Sequence, residues 1–481
     1  MLFGNYIFNL NRLLIIILPF AFVAGSFFSD LFCVFIGFTF FLNCLKTRNF
    51  SEFKNYIVYF FLVIYIYINF NSFFSFNQKI SFETSLTYIR IIIFISALSF
   101  FFKKYKDLKY YLFYSFCFCF VILFLDSLFQ FFLGHNILGF PLNKSRVSSF
   151  FGEKLILGSF VTRLLPFIFA LIILLKIKGK ELVILLILII TGILVVLSNE
   201  RLSLIYYCLF IIYYFFINFN KRLILKFITF ALLFSILVYI FKPSTFDRFF
   251  IHTYNQYKQT NNIIALSYRH QTHFQTAYKM FLDNKLLGHG LKSFRYLCDD
   301  PRFSVKEDIL LDSTYYAEAD GFFNFSRPFP DKLNFYIVIT KDDVIVSKVK
   351  ATAFSKNLTL FADPGKYVLK GQKLLSGPEY INGCNTHPHN IYMQFLSELG
   401  LLGFVLFFMI FIYVFYKLIY FSIRNFNKNL TDIDKSKSFI LFGVFLSMIP
   451  ILPSGNYFNN WLLIVTYLPI GFYLSLTKFT K

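Results

Sequence analysis

Along the chain, apolar runs recur at lengths close to what is needed to cross about 30 Å of hydrocarbon. They fall at 13–28, 30–45, 56–75, 86–102, 109–133, 155–175, 181–197, 202–219, 223–241, 399–422, 438–452 and 458–477. The pattern predicts an all-α polytopic membrane protein of about 12 transmembrane helices. The first run is followed at once by more apolar sequence, so it reads as a span and not as a cleaved signal. Between 242 and 398 the pattern changes. Residues 262–297 have helical character, whereas Leu333–Thr340 and Asp343–Lys350 are rich in β-branched and aromatic residues, and Asp363-Pro364-Gly365 is a turn signal before Lys366-Tyr367-Val368-Leu369. Three regions follow: an N-terminal membrane bundle of about nine spans over 1–241, a large loop over 242–398 with helices and a small β-rich insertion at about 302–383, and about three C-terminal spans over 399–481.

Charge gives the orientation. The even-numbered gaps are basic: Lys46, Arg48 and Lys54 in the second, Lys103, Lys104, Lys106 and Lys109 in the fourth, Lys176, Lys178 and Lys180 in the sixth, Lys221, Arg222 and Lys226 in the eighth, and Arg424, Lys428, Lys435 and Lys437 in the tenth. By the positive-inside rule both termini are cytoplasmic and the large loop lies outside, which is the periplasm if the organism is Gram-negative. The 481 residues hold 47 Lys and Arg against 25 Asp and Glu, a net charge of +22. Their position in inner loops makes this excess topological, and no nucleic acid partner is expected. With 57% hydrophobic residues and only 15% charged, and a mean hydropathy of +0.63, a soluble fold is excluded.

Five of the seven cysteines lie in apolar runs, and no C-x-x-C pair occurs. Cys298 and Cys384 flank the β-rich insertion in polar sequence, so a disulfide is expected there in an oxidising compartment. Closing a loop of this length would stabilise by roughly 4 kcal/mol in the chain-entropy account.

Charged residues inside or at the outer ends of spans are costly and mark functional candidates. Here they are Arg90, Asp126, Arg163, Glu200 and Arg201, all toward one face. Arg146 and Glu153 belong to an outer loop made basic by Lys144, Arg146 and Lys154, and Arg269 lies early in the large loop. Arginines gathered on the outer face can hold a diphosphate, since the guanidinium fork binds phosphate oxygens bidentately and stays charged. The stretch with most chemistry is Asn385-Thr386-His387-Pro388-His389-Asn390, where the loop re-enters the membrane. A histidine pair at this spacing can share a metal, but no acidic ligand is close, so a general base is the better reading. His389 is expected to be the base, His387 to support it, and Asn390 to orient acceptor or imidazole.

His389-Asn390, nine residues, then Gly400-Leu401-Leu402-Gly403 resembles the His-Asn and Gly-x-x-Gly signature of the O-antigen ligase and polymerase superfamily. Ser198-Asn199-Glu200-Arg201 is similar to that family's Ser/Glu-Arg turn. Ser267-Tyr268-Arg269 with Leu286-Leu287-Gly288-His289-Gly290 resembles its entry into the large loop, and Arg146 with Gly152-Glu153, Gly158 and Arg163 resembles its middle-span motif. The resemblance implies transfer of a glycan from an undecaprenyl-diphosphate-linked donor to a hydroxyl of lipid A-core or of another lipid-linked glycan. It implies an active site on the periplasmic face of the bacterial inner membrane, with no metal and no nucleotide cofactor. His389, His387 and Asn390 would then be catalytic, and Arg201, Arg269, Arg146, Arg163 and Arg90 would hold the diphosphate, supported by Glu200, Glu153 and Asp126. A polytopic lipid-glycan transporter is the rival from another class, although the charges cluster at one face and no internal repeat is visible.

Overall fold

Each apolar run of the sequence folds as a helix because continuous hydrophobic sequence can satisfy its backbone inside lipid only by internal hydrogen bonds. The structure is a computed structural model that describes residues 2–142, 146–241, 243–260, 267–326, 334–352, 359–450 and 452–477; Lys144 and Leu333 lie outside the described residues. In chain order the helices are α1 (Leu2–Ala24), α2 (Ser26–Thr47), α3 (Tyr56–Ser72), α4 (Gln78–Thr87), α5 (Ile89–Lys104), α6 (Leu108–Leu133), α7 (Leu157–Ile173), α8 (Lys180–Ser198), α9 (Arg201–Ile217) and α10 (Lys221–Phe241). Then come α11 (Pro243–Phe246), α12 (His252–Thr260), α13 (Tyr268–Asp283) and α14 (Phe294–Leu297) in the loop, and α15 (Ile391–Phe426), α16 (Asp432–Ser447) and α17 (Asn460–Leu476) after it.

Among the described residues, seven helical segments are long and apolar enough to cross a membrane, with α4 and α5 counted as one, and four further apolar helices are shorter: α3, α7, α9 and α17. The protein is therefore a multi-pass membrane protein. The expected figure of about twelve spans is met by length and composition for seven. α16 falls short because Asp432, Asp434, Lys435 and Lys437 occupy its first two turns.

Helix starts follow local chemistry. Asn55 accepts from the Ile57 N–H, Asn77 from Ile80, Asn459 from Leu462, and Thr431 forms a capping box with Asp434. Ion pairs and hydrogen bonds tie the basic end of the bundle: Arg12 with Asp107, Lys103 with Glu52 at 2.7 Å, and Lys435 with Asn218 at 3.0 Å. At the opposite end Arg90 pairs with Asp30 at 3.2 Å, and the large loop docks through Asn71 Nδ2 to Leu287 O at 2.6 Å and Phe76 N to His289 O at 2.9 Å.

The insertion is a β-sandwich. β1 (Lys306–Tyr316), β7 (Lys373–Asn382) and β5 (Thr359–Leu360) form one antiparallel sheet in the order β1-β7-β5. β4 (Val344–Thr352), β3 (Asn334–Lys341), β2 (Gly321–Ser326) and β6 (Tyr367–Val368) form the other in the order β4-β3-β2-β6. Their small core includes Phe323, Ile337, Ile339, Val349, Leu374 and Leu375. Cys298 and Cys384 are bonded at its base, with Cα atoms 4.8 Å apart. Lys348 on β4 reaches Glu153 at 2.9 Å, which ties the sandwich to the outer loop before α7.

Candidate active site

Two side-chain clusters form at the loop end of the bundle, each assembled from segments far apart in sequence. The first is built around the turn between α8 and α9. Glu200 turns its carboxylate onto the start of α7, accepting the N–H groups of Gly158 at 3.0 Å and Ser159 at 3.2 Å, and the Ser203 hydroxyl at 3.1 Å. A carboxylate at a helix N-terminus meets unpaired N–H groups and the positive end of the dipole. Gly158 allows the approach, since any Cβ there would run into Ser198 and Ser203. Burial pushes the Glu200 carboxyl up, against the opposing pull of Arg146 and these hydrogen bonds.

Arg146 lies 3.8 Å from Glu200 and donates to Ser198 O at 3.1 Å and Leu155 O at 3.2 Å. Its segment is held by the polar C-terminal half of α6. The Gln130 side-chain oxygen accepts from the N–H groups of Ser148 and Ser149 at 3.0 and 2.7 Å, and buried Asp126 accepts from the Ile137 N–H at 3.0 Å and from the Ser149 hydroxyl. Asp126 thus shapes the loop that presents Arg146. Arg201 donates to Gln256 Oε1 at 2.6 Å and Thr253 Oγ1 at 3.2 Å, both on α12. Arg248, which the sequence reading missed, donates to Asn199 O at 3.1 Å. Burial, partly offset by Glu200 and reinforced by Arg248 and Arg201, brings Arg146 down to about 10, still charged at neutral pH. Arg146 and Arg248 act on the single carboxylate of Glu200, and Arg201 lies near both guanidiniums, an excess of positive charge that suits an anion.

The second cluster is four of the seven histidines. His387 and His389 of the loop-to-α15 turn have ring centroids 4.2 Å apart, and His389 lies 5.2 Å from His273 and 5.5 Å from His270 on α13. The sequence reading missed His270 and His273. Their spacing of three on a helix was the available signal, since it places both on one face. His389 adopts a positive φ of 56°, rare for a side chain of this size. Asn385 Oδ1 accepts the Thr386 N–H at 2.7 Å, so its amide donates to His389 Nε2 at 3.1 Å, and neutral His389 carries its proton on Nδ1. Burial first, and then the neighbouring imidazoles, lower the pKa of His389 below the ordinary histidine range, and burial lowers His387 to about 4 and His273 to about 3. Both polar atoms of Asn390 are used for structure: Oδ1 caps α15 through Tyr392 N and Met393 N, and Nδ2 donates to Pro450 O at 2.8 Å. Arg269 lies next to His273 in charge terms and is exposed.

A small cavity of roughly 30 Å³ is lined by Arg163, Ser447, Ser454, Ile391 and Tyr457 among others. Arg163 donates to Ser159 Oγ at 3.1 Å and Ser447 Oγ at 2.7 Å, and so stands one residue from the Glu200 carboxylate through Ser159. On the other wall the Ser454 N–H donates to His389 O at 2.7 Å. A larger apolar cavity of roughly 310 Å³ shares Phe61, Ile410, Val444 and Ile470 with it and runs toward Tyr56, Tyr413 and Tyr473. Arg90 is engaged elsewhere by Asp30, and Glu153 is exposed with Lys348. Among the described residues, no group of three or more His, Cys, Asp or Glu side chains is arranged to hold a metal ion.

Residues 183–319 match the family described as O-Antigen ligase. Over those residues the chain is similar to the O-antigen ligase superfamily. The matched stretch carries Glu200, Arg201, Arg248, Arg269, His270 and His273, while Arg146, Arg163, His387 and His389 lie outside it and are brought to it by the fold. No curated protein sequence matches the chain.

The glycines that carry the superfamily resemblance have a structural cause in this chain. Segment 285–290 crosses the bend in α15: Leu401 N donates to Lys285 O at 2.8 Å, His289 N to Ser397 O at 3.1 Å and Gly290 N to Glu398 O at 2.7 Å. Gly400 sits in that bend with φ 65°, and a Cβ there would collide with the Leu286 carbonyl. Gly400→Ala is therefore expected to cost about 3 kcal/mol or more, from backbone strain plus the collision. Thermal unfolding of the detergent-purified protein checks this, and a melting temperature equal to the unmutated protein's would mean that the bend tolerates a side chain.

Proposed function

We propose that this membrane enzyme moves a glycan from undecaprenyl diphosphate to an acceptor hydroxyl of lipid A-core, working at the periplasmic face of the bacterial inner membrane without metal or nucleotide. The observation that carries the reading is a small cavity with Arg163, bonded to Ser159 beside Glu200, on one wall and Ser454, bonded to the turn that holds His389, on the other. In this reading both termini are cytoplasmic, with about twelve spans. His389 Nε2 exchanges the Asn385 amide for the acceptor hydroxyl and takes its proton. The acceptor oxygen bonds to the anomeric carbon, and the bond from that carbon to the diphosphate oxygen breaks, its electron pair leaving on the diphosphate. Arg146, Arg201 and Arg248 offset the charge that develops on the leaving group, with Arg163 and Arg269 toward the acceptor side. The apolar cavity below is suited to the isoprenoid tail.

An O-antigen polymerase would use the same chemistry with a lipid-linked glycan as acceptor. Gene deletion followed by gel analysis of surface glycolipid separates the readings. Core lacking all polymer supports the ligase; core bearing one repeat unit points to the polymerase. Precursor accumulating on the cytoplasmic side would replace both with a transporter. Transfer in detergent with chelator present tests the metal-free step, and its loss would overturn that part.

A further inference from the structure

The mechanism above uses His389 but leaves the two imidazoles of α13 without a role, and burying them has a cost. His273 is only 5% exposed, and its Nδ1 finds no hydrogen-bond partner among the described residues. A buried polar atom without a partner is destabilising, so a ring serving packing alone would be better made of carbon. The site's own geometry supplies a reason. His389 lies on a turn at positive φ, where backbone conformation alone does not fix the ring, and among the described residues its side-chain hydrogen bond is to Asn385 in the same turn. The surface it rests on comes from α13, with the His273 ring 5.2 Å away and inclined by 27°, and the His270 ring at 5.5 Å. α13 is a rigid support: Ser267 caps it through His270 N, and Ala277 and Met280 on the helix pack with Phe294 and the disulfide cysteine Cys298.

We propose that His273 is a positioning residue for the base: stacked on His389 from α13, it fixes the plane of that imidazole and shields it from water. The inference rests on the reading of His389 as the base. The charged and titratable groups facing the pair are Arg269 and His270 on α13, His387 on the turn, and Arg295 from α14, which acts on His387. None of these is acidic, so this surround favours the neutral, proton-accepting form of His389. Removing His273 takes away one of the repelling neighbours and admits water. Both changes favour the imidazolium, so the acid limb of the rate profile moves to higher pH.

The test compares His273→Ala and His273→Phe in full-length enzyme, using purified lipid-linked donor and acceptor. His273→Ala is expected to lower kcat by about 10- to 100-fold through a misplaced base, with donor KM within about 2-fold of the unmutated value. Its acid limb should rise by about one pH unit. His273→Phe keeps a flat ring and is expected to recover most of kcat. Unchanged kcat and pH profile in His273→Ala would overturn the proposal while leaving His389 as base; so would a Phe variant as impaired as the Ala variant with an unmoved acid limb. A divalent metal that co-purifies at one per chain and is lost from both His273→Ala and His389→Ala would also overturn it, since the rings would then be ligands. Activity surviving in His389→Ala would instead remove the underlying reading. If His273→Ala fails to give a monodisperse protein, the Phe variant decides: recovery of kcat supports the stacking role, and impairment with an unmoved acid limb removes it.

Discussion

His389→Ala is expected to lower glycan transfer by about 10²- to 10⁴-fold, the usual contribution of a positioned general base, while protein yield and donor binding stay near normal. The expectation rests on His389 Nε2 being an acceptor in the resting state, held by the Asn385 amide at 3.1 Å. His387→Ala should be milder, because the His387 ring only flanks it. Burial and the adjacent imidazoles lower the pKa of His389. Transfer should therefore stay at full rate as pH falls through 6.5, where an ordinary histidine would lose its basic form. The same shifts act on stability in one direction. His273, His387 and His389 stay neutral in the fold, whereas in the unfolded chain they take up protons below 6.5, so stability is retained above that pH and declines beneath it. A purified His389→Ala protein transferring glycan at the unmutated rate, or an acid limb centred near 6.5, would end the base assignment.

Arg201→Lys is expected to lower transfer by at least about 10-fold although the charge is kept, and Arg201→Ala by more. The guanidinium of Arg201 is aimed by Gln256 at 2.6 Å and Thr253 at 3.2 Å, with Arg146 and Arg248 beside it. An ammonium is a point charge and cannot present two parallel N–H groups to a diphosphate. Single-turnover transfer with saturating donor, alongside a donor-binding measurement, separates affinity from chemistry. Full activity in both variants would show that the anion is held elsewhere. Arg146→Ala is a harsher probe but less clean, because it leaves Glu200 buried without its cation, and loss of such a partner typically destabilises by about 3–5 kcal/mol.

Much of this architecture is written locally. A membrane helix satisfies its own backbone, so each of the twelve apolar runs could be recognised without its neighbours, and each is a helix. The same holds for the His387-Pro388-His389 turn and for Cys298 and Cys384, whose place on either side of the insertion anticipated their bond. β3, β4 and β6 were visible as short runs of β-branched and aromatic residues. β1 and β7 were not, because Lys306–Tyr316 mixes acidic and apolar residues and Lys373–Asn382 contains Gly377-Pro378. They are strands because they pair with each other across more than fifty residues.

The site itself was only half legible for the same reason. Hydropathy and spacing report what a residue is and what lies within a turn or two of it, which was enough to single out His389, Arg146, Arg163 and Arg201. That Arg248 joins the Ser198–Arg201 turn, that Glu200 caps α7 from the turn before α9, and that His270 and His273 wall His389 are contacts between separate segments. They exist because helix packing and the crossing of 285–290 over the α15 bend bring those segments together, and no local pattern records which distant face a side chain will meet.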